Sequence, residues 1–295
     1  MNIDDIKTIC VIGAGNMGHQ ISLHLALFGF NTACTDISSD ALRNAQEFAH
    51  SYLKGRVAKG KLPEGRMKEV LGNLRFTPDL KDAAGSADYV IEAAVEKIDI
   101  KKELFAELDR TAPQHAILAT NSSFIVSSRI ADSTKRPDKV VNLHFFNPAL
   151  VMKLVEVVQG PHVSDETTSI SMELCRKIDK VPVHIRKEVD GFLLNRILWA
   201  IKKEAQWLYD MGVASFEDID NACVYGLGHP MGPFRLEDLT GIDLNYILAL
   251  EKFKQTGVLS DLPSPSLVEH YVKGEHGRKT GRGWYDYAQK LDTRG

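Results

Sequence analysis

Thr8-Ile-Cys-Val-Ile-Gly-Ala-Gly-Asn-Met-Gly18 decides the fold. Its first five residues are β-branched or small and apolar, the composition of a buried strand. The glycines follow at once, and a helical pattern opens at Met17. Each glycine has its own purpose where a strand turns straight into a helix. Gly13 permits the tight turn, Gly15 lets the backbone approach a pyrophosphate, and Gly18 lets helix and sheet pack closely. The N–H groups of the helix N-terminus, at Asn16 and Met17, then face an anion. A lone G-x-G-x-x-G is weak evidence, but here it stands in the strand-turn-helix context. Asp36 also ends the next strand, 18 residues beyond Gly18. An acid there accepts hydrogen bonds from both ribose hydroxyls and repels a 2′-phosphate, so the pattern predicts NAD rather than NADP. The competing reading is a chance glycine turn beside an ordinary strand-end aspartate.

Working outward, short β-branched runs alternate with helical patterns as far as Arg186. Strands are predicted over Thr8–Ile12, Asn31–Thr35, Tyr89–Glu92, Ala116–Thr120, Val140–Phe145, Leu154–Val158 and Val181–Ile185. Helices are predicted over Met17–Phe28, Ser39–Lys59, Ile98–Arg110, Val126–Ile130 and Asp165–Ile178. This alternation implies an α/β fold of the Rossmann type, a doubly wound, mostly parallel sheet covered on both faces. The last apolar strands suggest an antiparallel extension. From Asp190 the pattern becomes all-helical, with a long apolar helix towards Met211 and an N-cap at Ser215. Residues 1–188 are therefore expected to form the dinucleotide-binding domain and 189–295 a helical domain.

Composition sets outer bounds. The chain has 295 residues, 44% hydrophobic and 25% charged, with a net charge of −3. That length accommodates two cores, and the charge balance gives no reason to expect nucleic-acid binding. The four cysteines lie far apart with no CxxC pair, so neither a disulfide framework nor a metal site is expected. No run approaches the roughly 18 apolar residues of a membrane span, and no secretory signal opens the chain. A cytoplasmic enzyme without membrane attachment is the expectation.

The chemistry concentrates in Asn142-Leu-His-Phe-Phe-Asn-Pro-Ala-Leu-Val-Met-Lys-Leu-Val-Glu-Val-Val158. His144 ends a buried strand, Pro148 marks a turn, and Glu156 is the one carboxylate of the returning strand. An imidazole held by a carboxylate is suited to proton transfer near neutral pH. The bland alternatives are a satisfied core histidine and a solvent-facing glutamate on an edge strand. Asn121-Ser-Ser-Phe124 ends a strand where ligand-facing residues of an open α/β sheet are expected, although a helix N-cap explains it equally. Asn195 lies in an apolar helical stretch, facing either solvent or a ligand cleft. Lys54, Arg56, Lys59 and Lys61 form a basic cluster that suits either phosphates or a solvated face.

Several of these motifs coincide in one family. The chain resembles the L-3-hydroxyacyl-CoA dehydrogenases, near their short bacterial 3-hydroxybutyryl-CoA type. The resemblance is carried by the glycine segment, Glu92-Ala-Ala-Val-Glu96, Ala119-Thr-Asn-Ser-Ser123, His144-Phe-Phe-Asn-Pro148 and Met152-Lys-Leu-Val-Glu156. It continues through Gly191-Phe-Leu-Leu-Asn-Arg196, Pro230-Met-Gly-Pro-Phe234 and Gly277-Arg-Lys-Thr-Gly-Arg-Gly283. It implies that His144 is the general acid–base, Glu156 its orienting partner, Ser123 the residue bonding the substrate 3-oxygen, and Asn195 a substrate-positioning residue. It implies NAD contacts at Asp36, Glu96, Lys101, Asn121, Ser123, Asn147 and Lys279. It further implies an acyl-CoA clamped between domains and a homodimer formed through the helical domain.

Two departures matter. The family reads Thr-Asn-Thr-Ser-Ser-Leu where this chain has Thr-Asn-Ser-Ser-Phe, and counting back from His144 selects Ser123 over Ser122. Counting from Asp36 puts Tyr52 at the family's CoA-contacting serine and Lys59 at its lysine, with Ser51 as the neighbouring substitute. The expected function is reversible NAD-dependent oxidation of short (S)-3-hydroxyacyl-CoA esters to 3-oxoacyl-CoA. The alternatives are a dehydrogenase of a free hydroxy acid on the same fold and a non-catalytic NAD-binding protein.

Overall fold

A computed structural model describes residues 1–287 of the chain; positions 288–295 of the expected helical domain lie outside the described residues. The first compact unit runs from Met1 to Leu193. Its strands are β1 (Thr8–Ile12), β2 (Asn31–Thr35), β3 (Leu74–Thr77), β4 (Tyr89–Glu92), β5 (Ile117–Thr120), β6 (Val140–Phe145), β7 (Leu154–Val158) and β8 (Val181–Ile185). Its helices are α1 (Asn16–Leu27), α2 (Ser39–Ala58), α3 (Glu64–Gly72), α4 (Leu80–Ala84), α5 (Ile98–Thr111) and α6 (Asp165–Lys177).

The strands form one sheet in the order β3-β2-β1-β4-β5-β6-β7-β8. All pairs are parallel except β6 with β7. The strand order reverses at β1, beside β4, and an open sheet of this kind binds its ligands at such a switch point. Side chains alternate between two cores, as the period of two in a strand requires. Ile9 and Val11 of β1 pack with Ile21, Leu25 and Leu174 on one face. Cys10 and Ile12 pack with Phe105, Leu108 and Ile130 on the other.

Three elements escape the sequence pattern. β3, Leu-Arg-Phe-Thr, is a short edge strand with only Leu74 fully buried, so it lacks the apolar run that marks the others. Helices α3 and α4 are short and carry few buried residues. The predicted helix over Val126–Ile130 is instead a pair of 3₁₀ turns, Ser127–Arg129 and Ala131–Ser133. Asn142 of β6 explains this. Its Oδ1 accepts from the Ser127 amide at 2.6 Å and its Nδ2 donates to the Ile125 carbonyl at 3.0 Å, which diverts the backbone from helical pairing.

The second unit begins at Leu194. It contains α7 (Leu194–Asp210), α8 (Phe216–Asn221), α9 (Pro233–Thr240), α10 (Ile242–Thr256) and α11 (Pro265–Val272). Ser215 caps α8 by accepting from the Asp218 amide at 3.1 Å. The core is an aromatic cluster of Phe234, Trp284, Tyr209 and Phe216. No helix among the described residues is long and apolar enough to cross a membrane.

Candidate active site

The turn after β1 is built as the glycine pattern requires. Gly13 sits at φ 98°, and a Cβ there would lie 2.6 Å from the Ala93 carbonyl oxygen at the end of β4. A Cβ on Gly18 would meet the Gly13 oxygen at 1.7 Å, so α1 packs directly on the turn. Around Gly15, by contrast, a Cβ would meet nothing within 4 Å, and no side chain caps the helix N-terminus. That space, with backbone N–H groups along its edge, fits a pyrophosphate. Asp36 closes the loop: its carboxylate accepts from the Ala14 amide at 2.7 Å and the Ser38 amide at 2.8 Å. Across the opening, Asn16 Nδ2 donates to Asn147 Oδ1 at 3.2 Å, joining α1 to the turn after β6, where the Asn147–Pro148 bond is cis. Met17 is half-buried on the same turn. These residues fit the adenosine and diphosphate of NAD.

Beside this turn lies a buried polar network. Glu92, at the end of β4, is fully buried, and Lys101 of α5 is 1% exposed. Lys101 Nζ donates to both Glu92 oxygens at 2.6 and 2.8 Å and lies 3.3 Å from Glu96. Thr120 Oγ1 and the Ala94 amide complete the Glu92 carboxylate at 2.6 and 2.7 Å. Glu96 accepts from the Ser122 hydroxyl and from the Phe124 amide. Asn121 Oδ1 accepts from the Phe145 amide at 2.8 Å, which ties the end of β5 to the strand carrying His144; Ser122 Oγ accepts from the Ile125 amide at 2.7 Å as an N-cap does, but the next helical turn begins only at Ser127. Glu92 and Thr120 are the functional neighbours that pattern reading passed over. Within a β-rich run a single acid carries no signal until the fold shows which lysine meets it.

The central feature joins three elements. Register places His144 of β6 directly opposite Glu156 of β7. His144 Nδ1 lies 2.9 Å from Glu156 Oε2, and His144 Nε2 lies 2.9 Å from Ser123 Oγ in the segment after β5. Both ionisable partners are buried, His144 at 4% and Glu156 at 0% exposure. Of the bland alternatives, the solvent-facing glutamate fails, because Glu156 is fully buried; the histidine has a partner at each ring nitrogen, the outer one a half-buried serine. A buried carboxylate on Nδ1 sets the tautomer that leaves Nε2 free to exchange a proton.

Other expected residues fall elsewhere. On α2, Tyr52 and Arg56 line a cavity of about 370 Å³ together with His24, Lys153 and Lys180. Ser51 lines a different, more open groove with Arg43, His50 and Lys54, and Lys59 is the exposed C-cap of the helix. Burial and the nearby Lys153 charge push the Lys180 ammonium down to about 8, and it donates to the Ala149 and Met152 carbonyls at the turn before β7. Asn195 and Lys279 belong to the second unit. Asn195 sits half-buried in the first turn of α7, and Lys279 pairs with Asp243 at 2.6 Å.

A doubly wound sheet, a phosphate-fitting glycine turn and a hydroxyl–imidazole–carboxylate chain define a dinucleotide-dependent oxidoreductase. Residues 8–189 match the model of the 3-hydroxyacyl-CoA dehydrogenase NAD binding domain, and residues 191–287 match that of the 3-hydroxyacyl-CoA dehydrogenase C-terminal domain. The chain belongs to the 3-hydroxyacyl-CoA dehydrogenase family and is an NAD-dependent enzyme. It is 39% identical to a 3-hydroxybutyryl-CoA dehydrogenase of Clostridioides difficile, over 95% of this chain and 99% of that one. It is 37% identical to a probable 3-hydroxybutyryl-CoA dehydrogenase of Bacillus subtilis, over 97% and 99% of the two chains. The crystal structure of (S)-3-hydroxybutyryl-CoA dehydrogenase from Ralstonia eutropha superposes with a TM-score of 0.88 at 34% identity, covering 96% of this chain and 99% of that one.

Proposed function

We propose that the protein interconverts short-chain (S)-3-hydroxyacyl-CoA and 3-oxoacyl-CoA, acting on 3-hydroxybutyryl-CoA and acetoacetyl-CoA. The observation that carries this is the chain Ser123–His144–Glu156, with 2.9 Å at each link. NAD, when bound, accepts the hydride that leaves C3. In that direction His144 Nε2 takes the proton of the 3-hydroxyl as the C3–O bond becomes a carbonyl, and Ser123 holds the same oxygen. Glu156 keeps Nδ1 protonated and stabilises the imidazolium; in reduction the proton returns to oxygen. A positioned acid–base of this kind contributes roughly 10²–10⁴-fold.

Asp36 serves the adenosine ribose, Gly13 to Gly18 the diphosphate, and Asn121, Ser123 and Asn147 the nicotinamide side. Glu96 and Lys101 serve the cofactor, with buried Glu92 fixing Lys101 from behind, and Lys279 is assigned to NAD by the family resemblance. Asn195 positions the thioester, and the basic side of α2, with Ser51 and Lys59, meets the CoA phosphates. Exposed Ile197, Trp207, Met211 and Val213 on and after α7 support a homodimer through the helical unit, and we read the enzyme as cytoplasmic. NADH oxidation with 3-oxoacyl-CoA esters of increasing length tests the reading. Turnover should be highest with acetoacetyl-CoA and much weaker with NADPH. Activity confined to free hydroxy acids would overturn it, and light scattering should return twice 32.8 kDa.

A further inference from the structure

Two consecutive residues at the end of the first unit take left-handed backbone conformations, Gly191 at φ 73° and Phe192 at φ 49°. In a phenylalanine this conformation brings Cβ against the carbonyl oxygen, and it persists only where its surroundings over-determine it. The surroundings here do so. The Phe192 ring is fully buried against Val158 and Ile185, with Val126 beside them. Its centroid lies 5.4 Å from that of the His144 imidazole, whose other aromatic neighbour is Phe146 at 4.5 Å.

The next residue acts on the same pair from the other end. The Leu193 amide donates to Glu156 Oε1 at 3.1 Å, while Glu156 Oε2 lies 2.9 Å from His144 Nδ1. A carboxylate held at one oxygen turns readily about its last torsion, which is broad. With a second donor on Oε1 its plane is set, and Oε2 stays in line with the imidazole. We infer that Phe192 and the Leu193 amide form a positioning clamp on His144, the ring limiting its tilt and excluding water, the amide orienting its carboxylate. The two left-handed residues bring ring and amide onto one imidazole–carboxylate pair, which accounts for a strained aromatic residue at this point. The clamp rests on the reading of His144 as the acid–base group.

The test uses full-length Phe192→Leu, Ile185→Val and His144→Gln enzymes. Ile185 shares the Phe192 cluster, so its variant carries a comparable packing loss at a residue outside the proposed catalytic set. The expected result is a kcat about tenfold lower for Phe192→Leu in acetoacetyl-CoA reduction, with NADH affinity within about twofold of the parent. The midpoint of its pH–rate profile should also move away from the parent's, because the ring and the water it excludes set the surroundings of the imidazole. The charged group facing that ring is Glu156, with the Ser123 hydroxyl on the other nitrogen. Ile185→Val should move neither kcat nor the midpoint. The clamp is overturned if Phe192→Leu matches Ile185→Val in both readouts while His144→Gln is inactive. Retained turnover in His144→Gln would instead remove the acid–base reading, and the clamp with it. Phe192→Met, which fills the volume without an aromatic ring, carries the same expectation for kcat should the leucine variant fail to fold.

Discussion

The two units bury glutamates equally deeply and treat them in opposite ways. In the sheet unit Glu92 meets Lys101 and Glu156 meets His144. In the helical unit Glu237 of α9 is 1% exposed, and its oxygens accept from neutral groups, Gln206 Nε2 at 2.6 Å and Trp284 Nε1 at 2.9 Å. Burial therefore dominates, and the Glu237 carboxyl is pushed up to about 7 despite the charge of Lys202 and the two donors. Lys202, itself lowered by burial, donates instead to Asn245 at 2.8 Å. Strand register brings His144 to Glu156 and a helix packed on the sheet brings Lys101 to Glu92, whereas packed aromatic helices here supply dipoles. The first arrangement sets a cationic or titratable side chain against the acid, and the second leaves it among dipoles, where burial favours its neutral form.

Four measurements break or sharpen that contrast, the largest effect first. His144→Gln, which keeps the volume but cannot exchange the proton, should lower kcat for acetoacetyl-CoA by roughly 10²–10⁴-fold. Near-normal turnover would show that the Glu156 pairing is only structural. Lys101→Met should destabilise the fold by about 3–5 kcal/mol in urea unfolding, because it strands the Glu92 charge in the core. Adding Glu92→Leu should recover most of that loss, and failure to recover would mean that the pair is not what holds β4 to α5.

The third concerns pH. Glu237 keeps its proton in the folded protein between its ordinary value of 4.5 and about 7, a range in which the unfolded chain has lost it. Stability from this group is therefore present below that window and declines as pH rises through it, by on the order of 2–4 kcal/mol. Glu237→Gln should raise the Tm relative to the parent at pH 8 and converge with it towards pH 4.5; a pH-independent difference would refute the assignment. The smallest effect belongs to the surface. Charge reversal of Lys54 and Lys59 should raise KM for CoA esters several-fold at low salt, fading as the ions are screened. An unchanged KM would move the CoA phosphates off this side of α2 and make the cavity lined by Arg56 and Lys153 the next region to test.

Much of this was legible in advance, for reasons that differ by residue. Gly13, Gly18 and Asp36 are readable because the turn admits so few side chains that the pattern itself is informative. The seven strands read from the sequence are recognisable because each is a β-rich apolar run. β3 was not: like the edge strand β8 it buries one side chain, but β8 keeps a β-branched run, Val-Pro-Val-His-Ile, and Leu-Arg-Phe-Thr does not. Asn142 was missed in its structural role and Glu92 in its place beside the site: a polar residue in a strand is silent until its partner, distant in sequence, is known. Ser51 shows the converse difficulty. It adjoins Tyr52 in sequence, yet one step along a helix turns a side chain by about 100°, and the two line different surfaces.

By itself, the sequence determined the class of fold and the cofactor and singled out His144 and Glu156 as the proposed acid–base pair, since each rests on local geometry and on residue types with few substitutes. Tertiary structure alone decided that Glu156 stands opposite His144, that Ser123 reaches its second nitrogen, that Lys101 lies buried against Glu96, and that Phe192 is strained against the imidazole. Those relations join positions from 5 to 48 residues apart. They depend on strand register and side-chain packing, which come from burying both faces of one sheet at once, and no short window of sequence contains that information.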